Sequence, residues 1–176
     1  MLFRSRLVAE GYAGRAVPPD VGSRQVFERY VQEKIGSERG GEAYRSYQQE
    51  KRIVDRLMSL MREARQDYLD VGSLGQDSQI GQWVLNRKKG SPYMELLDKG
   101  VLMEFATEGT ATFSIFTQRE RKVKFTYDRL FEFLLAEQVL PAKPTQEELI
   151  SLLQESREYP SLWGAVKVGL IMMAAT

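Results

Sequence analysis

The sequence contains no cysteine and no histidine among its 176 residues. Without cysteine the chain forms no disulfide bond and offers no thiolate ligand to a metal ion, which is compatible with the cytoplasmic location that we expect. Without histidine it lacks the commonest general base, and a Ser-His-Asp triad is excluded.

A phosphate-binding loop is missing as well. The cluster that combines glycine with basic residues, from Asn86 to Ser91, lacks the loop glycines that cradle phosphate groups. No pattern in the sequence places two carboxylates across a cleft for acid–base hydrolysis. We therefore predict no catalytic residue, no metal site and no cofactor in this chain, and we expect that it is not an enzyme by itself. The carboxylates considered were Glu104, Glu108, Asp128 and Glu132.

Long apolar runs are absent too. The stretch from Leu162 to Ala175 is interrupted by Lys167 and is shorter than the roughly 20 residues that a membrane-crossing helix needs. Arg4 and Arg6 interrupt the apolar residues at the start of the sequence, so no secretory signal is indicated. We expect no membrane partner and read the Leu162 stretch as a buried helix.

Periodic apolar positions predict a mainly helical chain with one small antiparallel β-hairpin. They predict helices from Ser23 to Ile35 and from about Glu42 to Tyr68, a candidate short strand and turn at 69–75, and a helix capped by Asp77 or Ser78.

Ser91 and Pro92 mark the start of a short helix that Gly100 ends. The segments 101–107 and 111–117 read as strands joined by a turn at 108–110, and Lys122 to Phe125 continues or restarts the second strand. Two helices that lead into such a hairpin are typical of a winged helix.

The helices after the hairpin have sequence start signals. Thr126 is the predicted cap of the helix that carries Leu130 and Leu134. Thr145 with Glu148 three residues later predicts a capping box for the next helix. The fold class is therefore a helical subdomain plus a winged-helix domain, with segments 1–41, 42–140 and 141–176 as partial helical subdomain, winged helix and start of a helical repeat region.

The segment VKFTYDRLFEFLLAEQVL, preceded by LLDKGVL and the hairpin, resembles the winged-helix end of NACHT or STAND-type signal-transduction NTPases. In that class a strand enters a helix through a pattern like F-[TLS]-H-D/E-x-[LF]-x-[ED]-[YF]-L-x-A. The stretch LFRSRLVAEGY and the later VPPDVGSRQVFERYVQEKI are similar to the helical subdomain of the class. SREYPSLWGAVKVGLIMMAA is similar to the first turns of its helical repeats. The matching positions are Phe125, Thr126, Tyr127, Asp128, Leu130, Glu132, Phe133, Leu134 and Ala136.

The resemblance implies a non-catalytic regulatory module that couples nucleotide state to a C-terminal sensor and to oligomerisation. The ATPase core, with its ATP or ADP, would precede Met1, and the partners would be that core, further helical repeats and other copies of the chain. Tyr127 and Asp128 stand at the family's nucleotide-sensing positions, where Tyr127 replaces a frequent histidine. A phenol donates a hydrogen bond but carries no positive charge. The alternative interpretation of these two residues is a helix start with a favourable early acid.

A DNA-binding winged-helix regulator is the competing hypothesis. The net charge of +1 gives no overall attraction to nucleic acid. Basic residues around the hairpin could contact phosphates. The helix that would read the bases, however, carries Glu95 and Asp98, whose carboxylates repel phosphate groups. We therefore expect nucleic acid not to be the partner. The candidate phosphate contacts under this alternative are Arg87, Lys88, Lys89, Arg119, Arg121 and Lys122.

Aromatic and sulfur-containing side chains at helical spacing are predicted to form core rather than a ligand pocket. They include Trp83 and Trp163 and the pairs Met58/Met61 and Met172/Met173. The last pair belongs to the apolar helix that ends the chain, so part of its face should lack a partner. An exposed apolar patch is predicted there.

Overall fold

The computed structural model describes residues 23–35, 42–107, 120–141 and 143–174. The chain divides into two compact units: a helical unit of Met1–Tyr47 with Arg129–Thr176, and a winged-helix unit of Gln48–Asp128. The fold is mainly α with a small antiparallel sheet, as predicted. No helix in the described part of the chain is both long enough and apolar enough to cross a membrane.

The winged-helix unit follows the order helix, strand, short helices, and two further strands. Strand β3 lies between β1 and β2 and is antiparallel to both, so the described sheet has three strands rather than the predicted two. This is the element order of a winged helix. Its elements are α2 (Glu42–Ala64, which starts in the helical unit), β1 (Tyr68–Asp70), α3 (Val71–Gly75), α4 (Gly81–Leu85), α5 (Pro92–Asp98), β2 (Leu102–Thr107) and β3 (Glu120–Phe125).

The partner of β2 is β3, with Thr107 opposite Glu120. The predicted strand 111–117 and the turn 108–110 lie outside the described residues. The alternation in β3 buries Val123 and Phe125 and leaves Lys122 and Lys124 on the other face. The predicted strand 101–107 corresponds to β2, and the predicted restart of the strand at Lys122 corresponds to part of β3.

Two helices of this unit end next to a residue in the left-handed conformation. Gly100, with φ of 69°, ends α5, and the N–H of Val101 donates to the carbonyl of Leu96. Arg65, with φ of 53°, ends α2 in the same way. We predicted that this helix continues to Tyr68. An arginine gives no sequence signal for a conformation that glycine usually supplies.

The core of the winged-helix unit is apolar. Ile53, Leu57 and Met61 lie on one face of α2 and are fully buried, together with Leu96 of α5. The predicted core position of Met58 is confirmed. The short helices α3 and α5 contact strands β3 and β2, and a small sheet is stable only when it is packed against other elements.

The helical unit contains α1 (Ser23–Ile35), α6 (Asp128–Val139, which begins at the border), α7 (Gln146–Glu155) and α8 (Pro160–Ala174). Phe27 and Phe133 stack with ring centroids 4.9 Å apart, which joins α1 to α6. The capping box at the start of α7 is confirmed: the Thr145 hydroxyl accepts from the N–H of Glu148, and the Glu148 carboxylate accepts from the N–H of Thr145. The hydrogen bonds that its carboxylate accepts from the N–H and the hydroxyl of Thr145 keep the pKa of Glu148 below its usual value.

Candidate functional site

The basic residues around the hairpin meet a carboxylate inside the winged-helix unit. Glu104 of β2 lies on the same sheet face as Val123, its buried neighbour in β3. Its Oε1 accepts from Arg87 Nη1 at 2.6 Å and from the Tyr93 hydroxyl at 2.9 Å. Arg121 Nη1 lies 3.8 Å from the other oxygen. These four residues, Arg87, Tyr93, Glu104 and Arg121, form the wing cluster.

Tyr93 is the buried member of the wing cluster. The guanidinium carbon of Arg87 lies 5.1 Å from the centroid of its ring. Burial raises the pKa of the Tyr93 hydroxyl far above its usual value, and the charge and hydrogen bond of Glu104 raise it further. The phenol is therefore a neutral hydrogen-bond donor, and it cannot act as a base.

Of the remaining candidate phosphate contacts, two are exposed to solvent and one lies against an aromatic ring. Lys88 and Lys89 are exposed. Lys122 Nζ lies 4.8 Å from the centroid of the Tyr68 ring. Arg119 lies outside the described residues. The structure thus brings Arg87 and Arg121 together at Glu104 and does not bring all six candidates to one surface patch.

Helix α5, which would read bases in a DNA-binding winged helix, is built into the core. Pro92, Tyr93 and Leu96 are buried. Within its range only Asp98 is fully exposed. The Ser91 hydroxyl, at the predicted cap position, instead donates to the carbonyl of Asn86 at 2.6 Å. The solvent side of this helix is therefore narrow and acidic.

The nucleotide-sensing candidates lie at the start of α6. The helix begins at Asp128, so Tyr127 occupies the position before it, and the prediction that Thr126 caps the helix is wrong. The Thr126 hydroxyl oxygen is buried and has no hydrogen-bond partner in the described part of the chain. Asp128 has a side chain 77% exposed, 3.6 Å from Lys124 Nζ. Tyr127 is half-buried.

An open groove of about 600 Å³ follows the polar face of α2. Two of its cations have carboxylate partners: Lys51 bonds Asp55 at 2.8 Å, and Arg56 bonds Asp77 at 2.9 Å. The guanidinium of Arg52 lies over Trp83, 5.9 Å from the ring centroid. The groove is polar and shallow, whereas small-molecule sites are enclosed and mostly apolar.

Asp77 organises the turn at one end of this groove. Its Oδ1 accepts from the backbone N–H groups of Gln79 and Ile80, and its Oδ2 accepts from Arg56 Nε and Nη2. Burial raises the pKa of this carboxyl, but these hydrogen bonds and the charge of Arg56 outweigh burial and leave the pKa below its usual value. Asp77 or Ser78 was predicted to cap the next helix, and this prediction is wrong, because that helix begins after Ile80 and has no side-chain cap.

A buried ion pair was missed by the sequence reasoning. Glu50 of α2 is 1% exposed, and both of its carboxylate oxygens accept from Lys99 Nζ at 2.8 Å. The pair joins residues 49 positions apart. Glu104 had a weak signal in the sequence, because alternation from the buried Leu102 places it on the core face of β2. Glu50 had a similar weak signal in the sequence, because it lies three residues before the apolar Ile53 and so on the same face of α2.

Comparisons of the chain with protein-family models, with curated proteins and with solved structures give no match. Among the described residues, no group of three or more acidic side chains is arranged to hold a metal ion. The functional assignment therefore depends on the fold, the polar contacts and the exposed surfaces of this chain.

Proposed function

We propose that this chain is a non-catalytic regulatory module of a STAND-type ATPase, located in the cytoplasm. In this proposal the winged-helix unit moves as a rigid body with the nucleotide state of an ATPase core and transmits that state to a helical sensor region. The observation that carries the proposal is the winged-helix order of elements, followed directly by α6 with its Phe125-Thr126-Tyr127-Asp128 entry.

The polar contacts support a mechanical module over a DNA reader. A DNA-binding winged helix needs an exposed, basic recognition helix whose side chains reach base edges. Here α5 is largely buried, and its exposed residue is Asp98. Arg87 and Lys99, the cations on either side of the helix, bond to Glu104 and Glu50. Binding phosphates would require these internal bonds to break.

The same internal bonds favour rigid-body motion. Lys99 fixes the end of α5 to the middle of α2, and the wing cluster fixes the start of α5 to the sheet. A unit held at both ends of one helix by charge-assisted hydrogen bonds transmits force without internal rearrangement. In this proposal the Tyr127 phenol, which can donate one hydrogen bond, stands at the position of the family's histidine.

The test is to sequence the 5′ end of the natural messenger RNA that encodes this chain. We expect an in-frame G-x-x-x-x-G-K-[ST] motif before residue 1, and, in the longer protein, different protease cleavage patterns of this region with ADP and with ATP. A stop codon close upstream without such a motif contradicts the proposal. ATP turnover by the chain alone, or salt-dependent saturable binding to a DNA duplex, also contradicts it.

A further inference from the structure

Helix α8 has little polar character on any side. Its sequence, PSLWGAVKVGLIMMA, contains a single charged residue, Lys167. A helix at a protein surface ordinarily has charged and polar residues on its outward face, and a helix that is apolar all round is ordinarily buried. The arrangement of α8 therefore needs an explanation beyond the folding of the helical unit.

The inward face of α8 is fixed by close packing. Leu162, Ala165 and Val166 are buried. A methyl group on Gly164 would collide with the Glu132 side chain, and one on Gly169 would collide with Leu140. These contacts bring α8 close to α6 and its C-terminal end, and they fix which side of α8 faces the core. The helix cannot rotate to hide its other side without losing them.

The outward face is an apolar stripe. Trp163 is 54% exposed, Leu170 41% and Ile171 56%. With Lys167 and Ala174 these residues follow the spacing i, i+4, i+7, i+8 and i+11, which places them on one side of a helix. This set, Trp163, Lys167, Leu170, Ile171 and Ala174, is the outward stripe. Large exposed apolar side chains that share one face of a helix in this way mark an interaction site.

The charge at the centre of the stripe decides what kind of surface covers it. Lys167 lies midway between Trp163 and Ile171 in the sequence. An antiparallel pair of α8 helices that matches Trp163 of one copy with Ile171 of the other therefore places the two Lys167 side chains opposite each other. A parallel pair in register does the same. Like charges in an apolar seam oppose association, so a second copy is a poor occupant.

We propose that the outward stripe binds an amphipathic helix that is not part of this chain. The apolar face of this partner helix has one carboxylate at its centre. The apolar side chains of the partner cover Trp163, Leu170 and Ile171, and its carboxylate pairs with Lys167. A helix laid against a helix recognises its partner by residues at i, i+3, i+4 and i+7. The seam charge then selects the partner, as polar residues do in coiled coils.

The experiment uses the whole chain with Trp83→Phe, so that Trp163 is its single tryptophan. The probe is a fluorescein-labelled synthetic amphipathic helix with leucine at the seam and one central glutamate. We expect saturable binding by anisotropy and a blue shift of Trp163 emission, because the indole leaves water. The same peptide with lysine at the centre should bind at least about tenfold more weakly. Lys167→Glu should reverse that preference.

Controls separate the stripe from non-specific attraction. Lys89→Glu makes the same charge change in the winged-helix unit and should leave the peptide preference unchanged. Leu170→Ser with Ile171→Ser should abolish binding while circular dichroism shows a folded chain. The proposal is overturned if no peptide shifts Trp163 emission, if glutamate and lysine peptides bind equally, or if the chain alone self-associates through the stripe in sedimentation. None of these outcomes depends on nucleotide, so they test the stripe separately from the STAND proposal.

Discussion

The two units of the chain differ in the charges that they bury and in the apolar side chains that they expose, although the winged-helix unit also leaves Leu85 in water. The winged-helix unit has charged groups in its interior: the buried Glu50 accepts from the half-buried Lys99, and Glu104 accepts from Arg87 and the buried Tyr93. The helical unit leaves large apolar side chains in water on the outward stripe. Buried charges are expensive unless paired, and exposed apolar patches are uncommon unless covered. Each unit therefore departs from the ordinary distribution in its own direction.

This difference assigns different tasks to the units. Paired charges inside the winged-helix unit satisfy one another and set its internal geometry, which suits a rigid part. The stripe of the helical unit has no such internal partner in the described residues, which suits a binding surface. The chain has two tryptophans, Trp83 in the winged-helix unit and Trp163 in the helical unit. Single-tryptophan backgrounds can thus report the unfolding of each unit separately.

The largest expected effect comes from breaking the buried ion pair. Lys99→Met removes the ammonium group that bonds both oxygens of Glu50 and leaves a buried carboxylate without it. We expect a loss of about 3–5 kcal/mol in the free energy of unfolding. Urea unfolding followed by Trp83 emission in the Trp163→Phe background measures it.

The matched control is the double variant Lys99→Met with Glu50→Leu. Replacement of both charges by apolar groups should recover most of the loss, because a buried pair contributes little beyond what well-packed apolar residues give. Equal destabilisation in the single and double variants would contradict a charge-specific role. The same variants in the Trp83→Phe background report on the helical unit through Trp163, and a Trp163 transition that shifts together with the Trp83 transition would show that the two units unfold as one cooperative body.

The second-largest effect is expected from a substitution that disturbs the packing of the inward face of α8. Gly164→Ala places a methyl group against the Glu132 side chain, which already accepts from Arg129 Nη1 at 2.6 Å. Overpacking costs about 3 kcal/mol at the upper end of its usual range. Because alanine favours a helix by about 1 kcal/mol over glycine, we expect a net loss of about 2 kcal/mol. Trp163 emission in the Trp83→Phe background measures it.

Gly169→Ala is the control for this change. The nearest atom to its new methyl group is a terminal methyl of Leu140, which can turn away more readily than a bonded carboxylate. We expect a smaller loss than for Gly164→Ala, or none. If the two variants are equally stable, the close approach at Glu132 does not fix the orientation of α8. Other contacts would then have to set which face of α8 is turned outward.

The sequence predicted the helices better than the polar contacts. Apolar periodicity located α1, α2 and α6, and the Thr145 and Glu148 capping box was found because a capping box is local in sequence. The end of α2 was misplaced because Arg65 adopts a conformation that its side chain does not favour. β1 was recognised only as a possible strand, since its three residues pair with β3, more than 50 positions away.

The exposed surface of the last helix was also predicted only in part. A patch on the last helix was predicted, and the structure has one, but Trp163 was predicted to be core and is exposed. Met172 of the same helix is buried and belongs to the inward face. In a helix that is apolar all round, periodicity gives no orientation, because every side meets the criterion for core. The packing of Gly164 and Gly169 against α6 decides it, and that contact is not visible in the sequence.

The smallest expected effect tests whether the polar ties of the winged-helix unit extend to its surface. Asp77→Asn keeps an amide oxygen for the N–H groups of Gln79 and Ile80 and removes the charge that Arg56 contacts. We expect a loss of about 0.5–1 kcal/mol at pH 7, since partly exposed ion pairs contribute little. Unfolding monitored by Trp83 in the Trp163→Phe background measures it.

The pH dependence of this variant has a definite sign. The folded-state pKa of Asp77 is lowered from 3.8, so the carboxylate contributes stability above about pH 4, and that contribution disappears as the pH falls through the folded pKa. The gap between the parent chain and Asp77→Asn should therefore be constant from pH 7 to about pH 5 and close below about pH 4. A gap that persists at pH 2 would mean that the amide disturbs the turn itself. Asp55→Asn is the control, because its exposed pair with Lys51 should give a smaller gap at every pH.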